Sequence, residues 1–242
     1  MKKLLIVIPS LTQTNGVSSF LINYLSNIDL NKIDIDILSS NLRPSEYYTK
    51  FFKNNNIDYY FLPDLKQNGL IKYYTTLKSF FKKHNKYDAI YSHVANQSIF
   101  IFHEAAKYGI RNFALHSHAT VSSSNKLKKM INDVLTFFIK RKLTYRVACS
   151  DLAGLSMFGK RKFDVVNNAI DYKKFNFCID DRDSIRKSLN ISGEFLIGFI
   201  GRFAPQKNIF FFAELAKILD NNYKIMMIGS GSQKNEFIEK IK

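Results

Sequence analysis

The stretch Phe195-Leu196-Ile197-Gly198-Phe199-Ile200-Gly201-Arg202-Phe203-Ala204-Pro205-Gln206-Lys207-Asn208 decides the fold. Its apolar run reads as a buried strand. Gly201 ends that strand, and Arg202 and Lys207 follow in a loop that opens a helix. A loop of this kind presents two cations and a helix N-terminus to one anion. Helix N-termini carry a partial positive charge and N–H groups without intrahelical partners. A guanidinium fork matches phosphate oxygens, and an ammonium adds a point charge. Each hydrogen bond to a charged group contributes about 1.5–3 kcal/mol. The ligand this predicts is a diphosphate.

Upstream, the strand-then-helix order repeats. Leu4–Pro9 is an apolar run, followed by a polar loop and by Val17, Phe20, Leu21, Tyr24 and Leu25 at helical spacing. Ile33, Ile35 and Ile37 alternate with Asp34 and Asp36 as a strand does, and Ile57–Leu62 is another strand, stopped by Pro63. The pattern predicts helices over Leu70–His84, Gln97–Tyr108 and Asn125–Leu143, with Gly109 as a helix C-terminal signal. It predicts strands over Asp88–Val94, Asn112–Leu115, Tyr145–Cys149 and Asp164–Val166, and a short helix from Asp151. Past a linker near Asp171–Asp180, a helix precedes Phe195. Another spans Asn208–Leu219, a strand covers Lys224–Ile228, and a last helix follows Gly231.

Strands alternating with helices specify an α/β fold with parallel sheets covered on both faces. Right-handed crossovers place the loops after the strand ends on one rim, where ligands bind. Two domains follow: 1–170, Rossmann-like, and 171–242, the beginning of a second domain. Only two clear strand–helix steps fall in the second, which predicts a sheet that is incomplete, with open edges, or is completed by something else.

The chain has 242 residues and a formal net charge of +16. Its basic residues are spread along the sequence, with no zinc-finger or basic-zipper pattern. That favours a phosphorylated ligand or an anionic membrane surface over nucleic acid. Cys149 and Cys178 are far apart and form no disulfide framework, which suits a reducing cytosol. Met1-Lys2-Lys3 before Leu4 mimics a signal peptide, but the apolar run is too short and Pro9 follows. No apolar stretch reaches the length of a membrane span.

Several other residues fall on the ligand rim. Asn15-Gly16-Val17 lets backbone approach a phosphate or sugar at a helix start, or is simply a turn that needs glycine. His93 ends one strand, and His116 and His118 follow another; a lone histidine is more often structural, but three at strand ends suit hydrogen bonding to sugar hydroxyls or a phosphate. The i, i+2 spacing of His116 and His118 leaves no third metal ligand nearby, so no metal is expected. Gly229-Ser230-Gly231 is either a second close-approach loop or an ordinary turn. Leu127, Met130, Ile131, Val134, Leu135 and Phe138 form an apolar stripe flanked by lysines and an arginine. Such a helix either packs on the sheet by that stripe, the favoured reading, or lies on an anionic bilayer. Leu70–Tyr87 is a similar case. The GxSxG, GxGxxG and Walker patterns are missing.

Together these residues resemble the retaining GT-B glycosyltransferases of family 4, over essentially the whole chain. Gly201-Arg202-Phe203-Ala204-Pro205-Gln206-Lys207-Asn208 looks like the family's donor-diphosphate loop. Asn167-Asn168-Ala169-Ile170-Asp171 looks like its interdomain turn, Ala148-Cys149-Ser150 like the element before it, and Asn15-Gly16-Val17 like its Gly-Gly-Val loop. The resemblance implies that Arg202 and Lys207 hold a nucleotide-sugar diphosphate, that Gly16 approaches a donor phosphate, and that Gly229 and Gly231 flank the nucleotide. It implies a catalytic role for His93 near the transferred sugar and an acceptor-side role for His116 and His118. The donor would be a UDP-sugar handled without a metal or further cofactor, and the acceptor a glycan or lipid-linked sugar of cell-surface polysaccharide biosynthesis. The implied location is cytoplasmic, peripheral on the inner face of the membrane. Asn15, Ala169 and Ser230 depart from the family pattern, and its downstream pair of glutamates belongs well past Gly231, so the resemblance implies a truncated second domain. Two other readings compete: a non-catalytic sugar- or membrane-binding subunit, and a sugar-nucleotide epimerase, which needs carboxylates near the diphosphate loop.

Overall fold

The computed structural model describes residues 1–12, 15–40, 44–118 and 126–241; the side chains of 126–129 and 131 lie outside the description. The chain divides into two compact units, Met1–Asp171 and Tyr172–Lys242.

The first unit runs β1 (Lys2–Ile8), α1 (Gly16–Leu25), β2 (Ile33–Ser40), α2 (Glu46–Asn54), β3 (Asp58–Leu62), α3 (Leu65–Lys83) and β4 (Ala89–Ser92). It continues with α4 (Ser98–Lys107), β5 (Asn112–Ser117), α5 (Lys126–Lys142), β6 (Tyr145–Ala148), α6 (Asp151–Phe158) and β7 (Asp164–Val165). All the strand pairings are parallel, in the order β3-β2-β1-β4-β5-β6-β7. The order reverses between β1 and β4. In open parallel sheets that switch point is where loops diverge and leave a crevice at the strands' C-terminal ends. The Gly16 loop follows β1, and His93 follows β4.

β1 shows why the first apolar run is unbroken. Leu5 and Val7 join one buried cluster with Tyr73, Leu77, Phe81 and Phe102. Ile6 and Ile8 join another with Leu21, Leu25, Ile37 and Phe52. Successive side chains of a strand point to opposite faces, so a central strand covered on both sides needs apolar residues at every position.

α2 is an element that the periodicity reading missed. Ser45 accepts a hydrogen bond from the Tyr48 N–H at 3.5 Å as its N-cap, and Tyr48 and Phe52, one turn apart, are buried. α3 starts earlier than the pattern predicts, at Leu65 with Asp64 as N-cap, but Gly69 at φ 75° interrupts it. The regular helix therefore begins at Leu70. Gly109, at φ 86°, occupies the left-handed position after α4 that favours glycine.

The second unit contains a 3-10 turn (Tyr172–Phe175), α7 (Ile179–Ser188), β8 (Phe195–Ile200), a 3-10 turn (Pro205–Lys207), α8 (Phe210–Ile218), β9 (Tyr223–Ile228) and α9 (Lys234–Lys240). β8 and β9 pair in parallel as a two-stranded sheet. Its small core is Phe203, Ile209, Ala213 and Phe237, with Phe199, Phe210, Phe212 and Met227 against it. β8 departs from the expectation of a buried strand: Phe195 is 67% exposed and Ile200 80%. Only Ile197 and Phe199 are partly covered, at alternate positions. A sheet of this width has residues to pack against one face and leaves the other open.

Candidate active site

The loop after β8 begins at Gly201, whose N–H donates to the Ile228 carbonyl at 3.0 Å and so extends the β8–β9 ladder. Phe203 N–H donates to the Ser230 carbonyl at 2.9 Å, and Gln233 N–H to the Phe203 carbonyl at 3.1 Å. Phe203 itself is buried and anchors the loop in the core. Asn208 closes the 3-10 turn in a left-handed conformation, φ 47°, and α8 follows from Phe210, two residues later than the sequence pattern places it. Arg202 and Lys207 are both exposed. Among the described residues neither side chain has an ion-pair or hydrogen-bond partner, whereas Lys217, Lys224 and Lys240 of the same unit are all paired with glutamates.

Gly229 and Gly231 have a packing explanation. A Cβ on Gly229 would lie 1.9 Å from the Gly201 carbonyl oxygen, and one on Gly231 2.2 Å from that of Phe203. Their lack of side chains lets the loop after β9 lie backbone-to-backbone on the loop after β8. A separate apolar hollow of about 480 Å³ is lined by Phe212, Leu219, Tyr223, Ile225 and Met227 among others. Its lining includes none of Arg202, Lys207, Gly229 or Gly231.

In the first unit, Gly16 opens α1. A Cβ there would meet nothing within 4 Å. Asn15 is the N-cap: its Oδ1 accepts from the N–H of Val17 at 2.9 Å and of Ser18 at 3.4 Å. Two donors that a bare helix start offers to an anion are thus already engaged by the residue that departs from the Gly-Gly-Val pattern.

The three rim histidines meet. β4 and β5 are neighbours in register, with Ser92 opposite Leu115, so the residues that follow emerge side by side. Nδ1 of His93 and Nε2 of His118 are 2.8 Å apart, and the Tyr91 hydroxyl lies 2.7 Å from Nδ1 of His116. Phe20 of α1 packs against all three rings, with centroids 5.9 Å from His93, 5.1 Å from His116 and 5.5 Å from His118. Burial, and then the neighbouring imidazoles, hold His93 well below the usual histidine range. Burial and then His118 push His116 down to about 3, and burial pushes His118 down to about 4. The rings are therefore neutral near pH 7, able to donate and accept hydrogen bonds without carrying charge. Among the described residues, Nε2 of His93 and of His116 are buried without a partner.

The spacing of His116 and His118 shows no third histidine nearby; the fold brings His93 beside them, because parallel strands that are adjacent in space are distant in sequence. Phe20 and Tyr91, which hold the cluster, carried no signal beyond an apolar helix position and a strand residue.

α5 also departs from expectation. Met130, Val134 and Phe138 of its stripe are 59%, 52% and 50% exposed, and Phe137 47%. Among the described side chains of α5, Ile139 is buried, as is Leu143 just beyond its end. The Arg141 guanidinium sits over the Phe137 ring at 4.4 Å. The Leu127 and Ile131 side chains lie outside the described residues. On α3, by contrast, Tyr73, Leu77, Phe80 and Phe81 are buried, so that basic helix is a packed one. Among the described residues no helix is long and apolar enough to cross a membrane.

No protein-family model matches the chain. It is 28% identical over 239 residues to the UDP-Gal:alpha-D-GlcNAc-diphosphoundecaprenol alpha-1,3-galactosyltransferase of Escherichia coli, a match covering 92% of this chain and 60% of that protein. Among solved structures, it is similar to Anabaena HepE in complex with UDP, with a TM-score of 0.77 at 14% identity, over 100% of this chain and 64% of that one. S. aureus TarM, in a complex that includes UDP, superposes with a TM-score of 0.66 at 10% identity, over 100% of this chain and 75% of its own. The lipopolysaccharide outer core galactosyltransferase WaaB gives a TM-score of 0.62 at 14% identity, over 99% of this chain and 64% of its own. The chain therefore spans about 60% of the length of the curated relative it matches. The chain has the α/β fold of the GT-B glycosyltransferases.

Proposed function

We propose that this chain belongs to a glycosyltransferase that moves a sugar from a UDP-sugar to a hydroxyl of a glycan or lipid-linked acceptor. The observation that carries the reading is the loop after β8, where Arg202 and Lys207 stand exposed and, among the described residues, unpaired on a backbone anchored by buried Phe203 and its hydrogen bonds. Breaking the bond between a sugar's anomeric carbon and a diphosphate leaves negative charge on the phosphate oxygens. Cations fixed in advance where that charge develops lower the barrier. Arg202 and Lys207 take that role without a metal at the diphosphate. The Escherichia coli relative, which by its name uses UDP-Gal and an undecaprenol-linked acceptor, supports the choice of UDP and of a lipid-linked acceptor.

The neutral histidines contribute on the first unit. His93 would hydrogen-bond the transferred sugar and His116 and His118 the acceptor side, each through a nitrogen that bears no charge to repel a cationic oxocarbenium. Retention of anomeric configuration and membership of family 4 rest on the sequence resemblance. The open apolar face of α5, with Lys140, Arg141 and Lys142 in its last turn, suits peripheral contact with an anionic membrane, where a lipid-linked acceptor resides. A cytoplasmic location, peripheral on the membrane's inner face, and a role in polysaccharide biosynthesis belong to the same proposal and rest on the sequence resemblance.

A transfer assay tests the reading. The chain is incubated with radiolabelled UDP-galactose or UDP-glucose and with polyprenyl-diphosphate-linked N-acetylglucosamine. Transfer of label to the lipid fraction, lost in Arg202→Ala, supports it. Absence of both transfer and UDP binding rejects it.

A further inference from the structure

We propose that His93, His116 and His118 bind one divalent ion of the zinc and cobalt class. One ring nitrogen from each histidine lies within 4.8 Å of the other two. His93 is 7% exposed and His116 2%, and the Nε2 atom of each is buried with no hydrogen-bond partner among the described residues. A buried polar atom left without a partner forgoes its hydration without compensation. Two such nitrogens on adjacent imidazoles are a state that a ligand relieves, and a neutral imidazole offers the lone pair a metal needs.

The surroundings fit a metal-bound histidine as well. Imidazole ligands are usually held from behind, the second ring nitrogen bonded to a protein group that fixes the ring. Tyr91 stands in that position at Nδ1 of His116, and Phe20 covers the cluster with an apolar ring. With metal–nitrogen bonds of about 2.0–2.1 Å, ligand nitrogens in a tetrahedral site stand about 3.4 Å apart. Nitrogens that stand up to 4.8 Å apart have to draw together by up to about 1.4 Å, and His118 is the member that is only partly buried.

Donor chemistry sets the class of ion. Among the described residues the cluster contains histidines and no carboxylate. Imidazole sets suit zinc, cobalt, nickel and copper, whereas magnesium, manganese and calcium take oxygen ligands. This ion is therefore not a partner for a diphosphate. It would occupy the nitrogens that a sugar hydroxyl needs, so metal and sugar exclude one another. The site stands whether or not the chain transfers sugar.

The test is a titration of tag-free, chelator-treated protein with Co²⁺, followed by visible absorption, with metal analysis of the product. One ion per chain, the intense bands of four-coordinate cobalt and displacement by Zn²⁺ are expected. The bands disappear in His93→Ala, His116→Ala and His118→Ala, and persist in the His84→Ala/His103→Ala double variant, which removes the other histidines of the sequence. Tyr91→Phe weakens binding about 10-fold. Folded wild-type protein without these bands, or bands that survive all three single variants, overturns the proposal. The wild-type spectrum and stoichiometry decide the matter even where a variant does not fold.

Discussion

Gly231 lies so close to Phe203 that a Cβ on the glycine would stand 2.2 Å from the Phe203 carbonyl oxygen. The obstacle is backbone, which cannot rotate away as a side-chain tip can. The same contact fixes the position of the loop that carries Arg202 and Lys207. Gly16 is the contrasting case, with open space where its Cβ would be.

Gly231→Ala should therefore destabilise the second unit by about 1–3 kcal/mol, as overpacked sites do, and weaken UDP binding through the displaced loop. Gly16→Ala should leave the denaturant midpoint within about 0.5 kcal/mol of wild type. Any loss of donor binding in Gly16→Ala then reports close approach of the ligand. Chemical denaturation and UDP titration of the two variants separate the effects.

The histidine cluster gives a pH dependence whose sign is fixed. Burial lowers the folded-state pKa values of His116 and His118 to about 3 and about 4, and that of His93 in the same direction. The unfolded chain therefore takes up protons below about pH 6.5 that the native state does not, and stability falls as pH falls. Between about pH 7 and pH 5 each such histidine costs about 2 kcal/mol. In chelator-treated protein the urea midpoint should drop steeply over this range, and His118→Asn should flatten the slope by about one third of the histidine contribution.

A buried carboxylate makes a second stability test. Asp36, 2% exposed, accepts from the Tyr87 hydroxyl at 2.6 Å and pairs with Lys3 at 3.2 Å. Tyr87→Phe keeps the ring and removes one donor from a charged acceptor, which should cost about 1.5–3 kcal/mol. Thermal unfolding of the variant measures it.

Membrane contact through α5 has its own prediction. Val134→Asp and Phe138→Asp replace exposed apolar residues, so folding should be unaffected. Co-sedimentation with vesicles rich in anionic lipid should fall several-fold in either variant, and binding of the wild type should weaken as salt rises.

Much of this molecule was legible in its sequence, for physical reasons. β1 announces itself because a strand buried on both faces admits only apolar residues, and Gly109 because its left-handed backbone favours glycine. α2 escaped because its buried face is only Tyr48 and Phe52, too few to show a period. The exposure of β8 escaped because an apolar run records what a strand is made of and not how many neighbours cover it. The meeting of His93 with His116 and His118 could not be read from spacing, since it depends on β4 and β5 lying side by side. Phe20 was visible only as one apolar position of a helix. Arg202 and Lys207 follow β8 in a loop as the pattern predicts, although a 3-10 turn at Pro205–Lys207 intervenes and α8 opens only at Phe210.

The most direct measurement is the affinity of the chain for UDP, by calorimetric titration, in wild type, Arg202→Ala and Lys207→Ala. Both side chains are exposed and unpaired among the described residues, so neither substitution should disturb folding. Loss of about 1.5–3 kcal/mol for each, equivalent to about 10- to 150-fold in affinity, is the predicted result. UDP binding that is equally tight in all three proteins would contradict the assignment of this loop to the diphosphate.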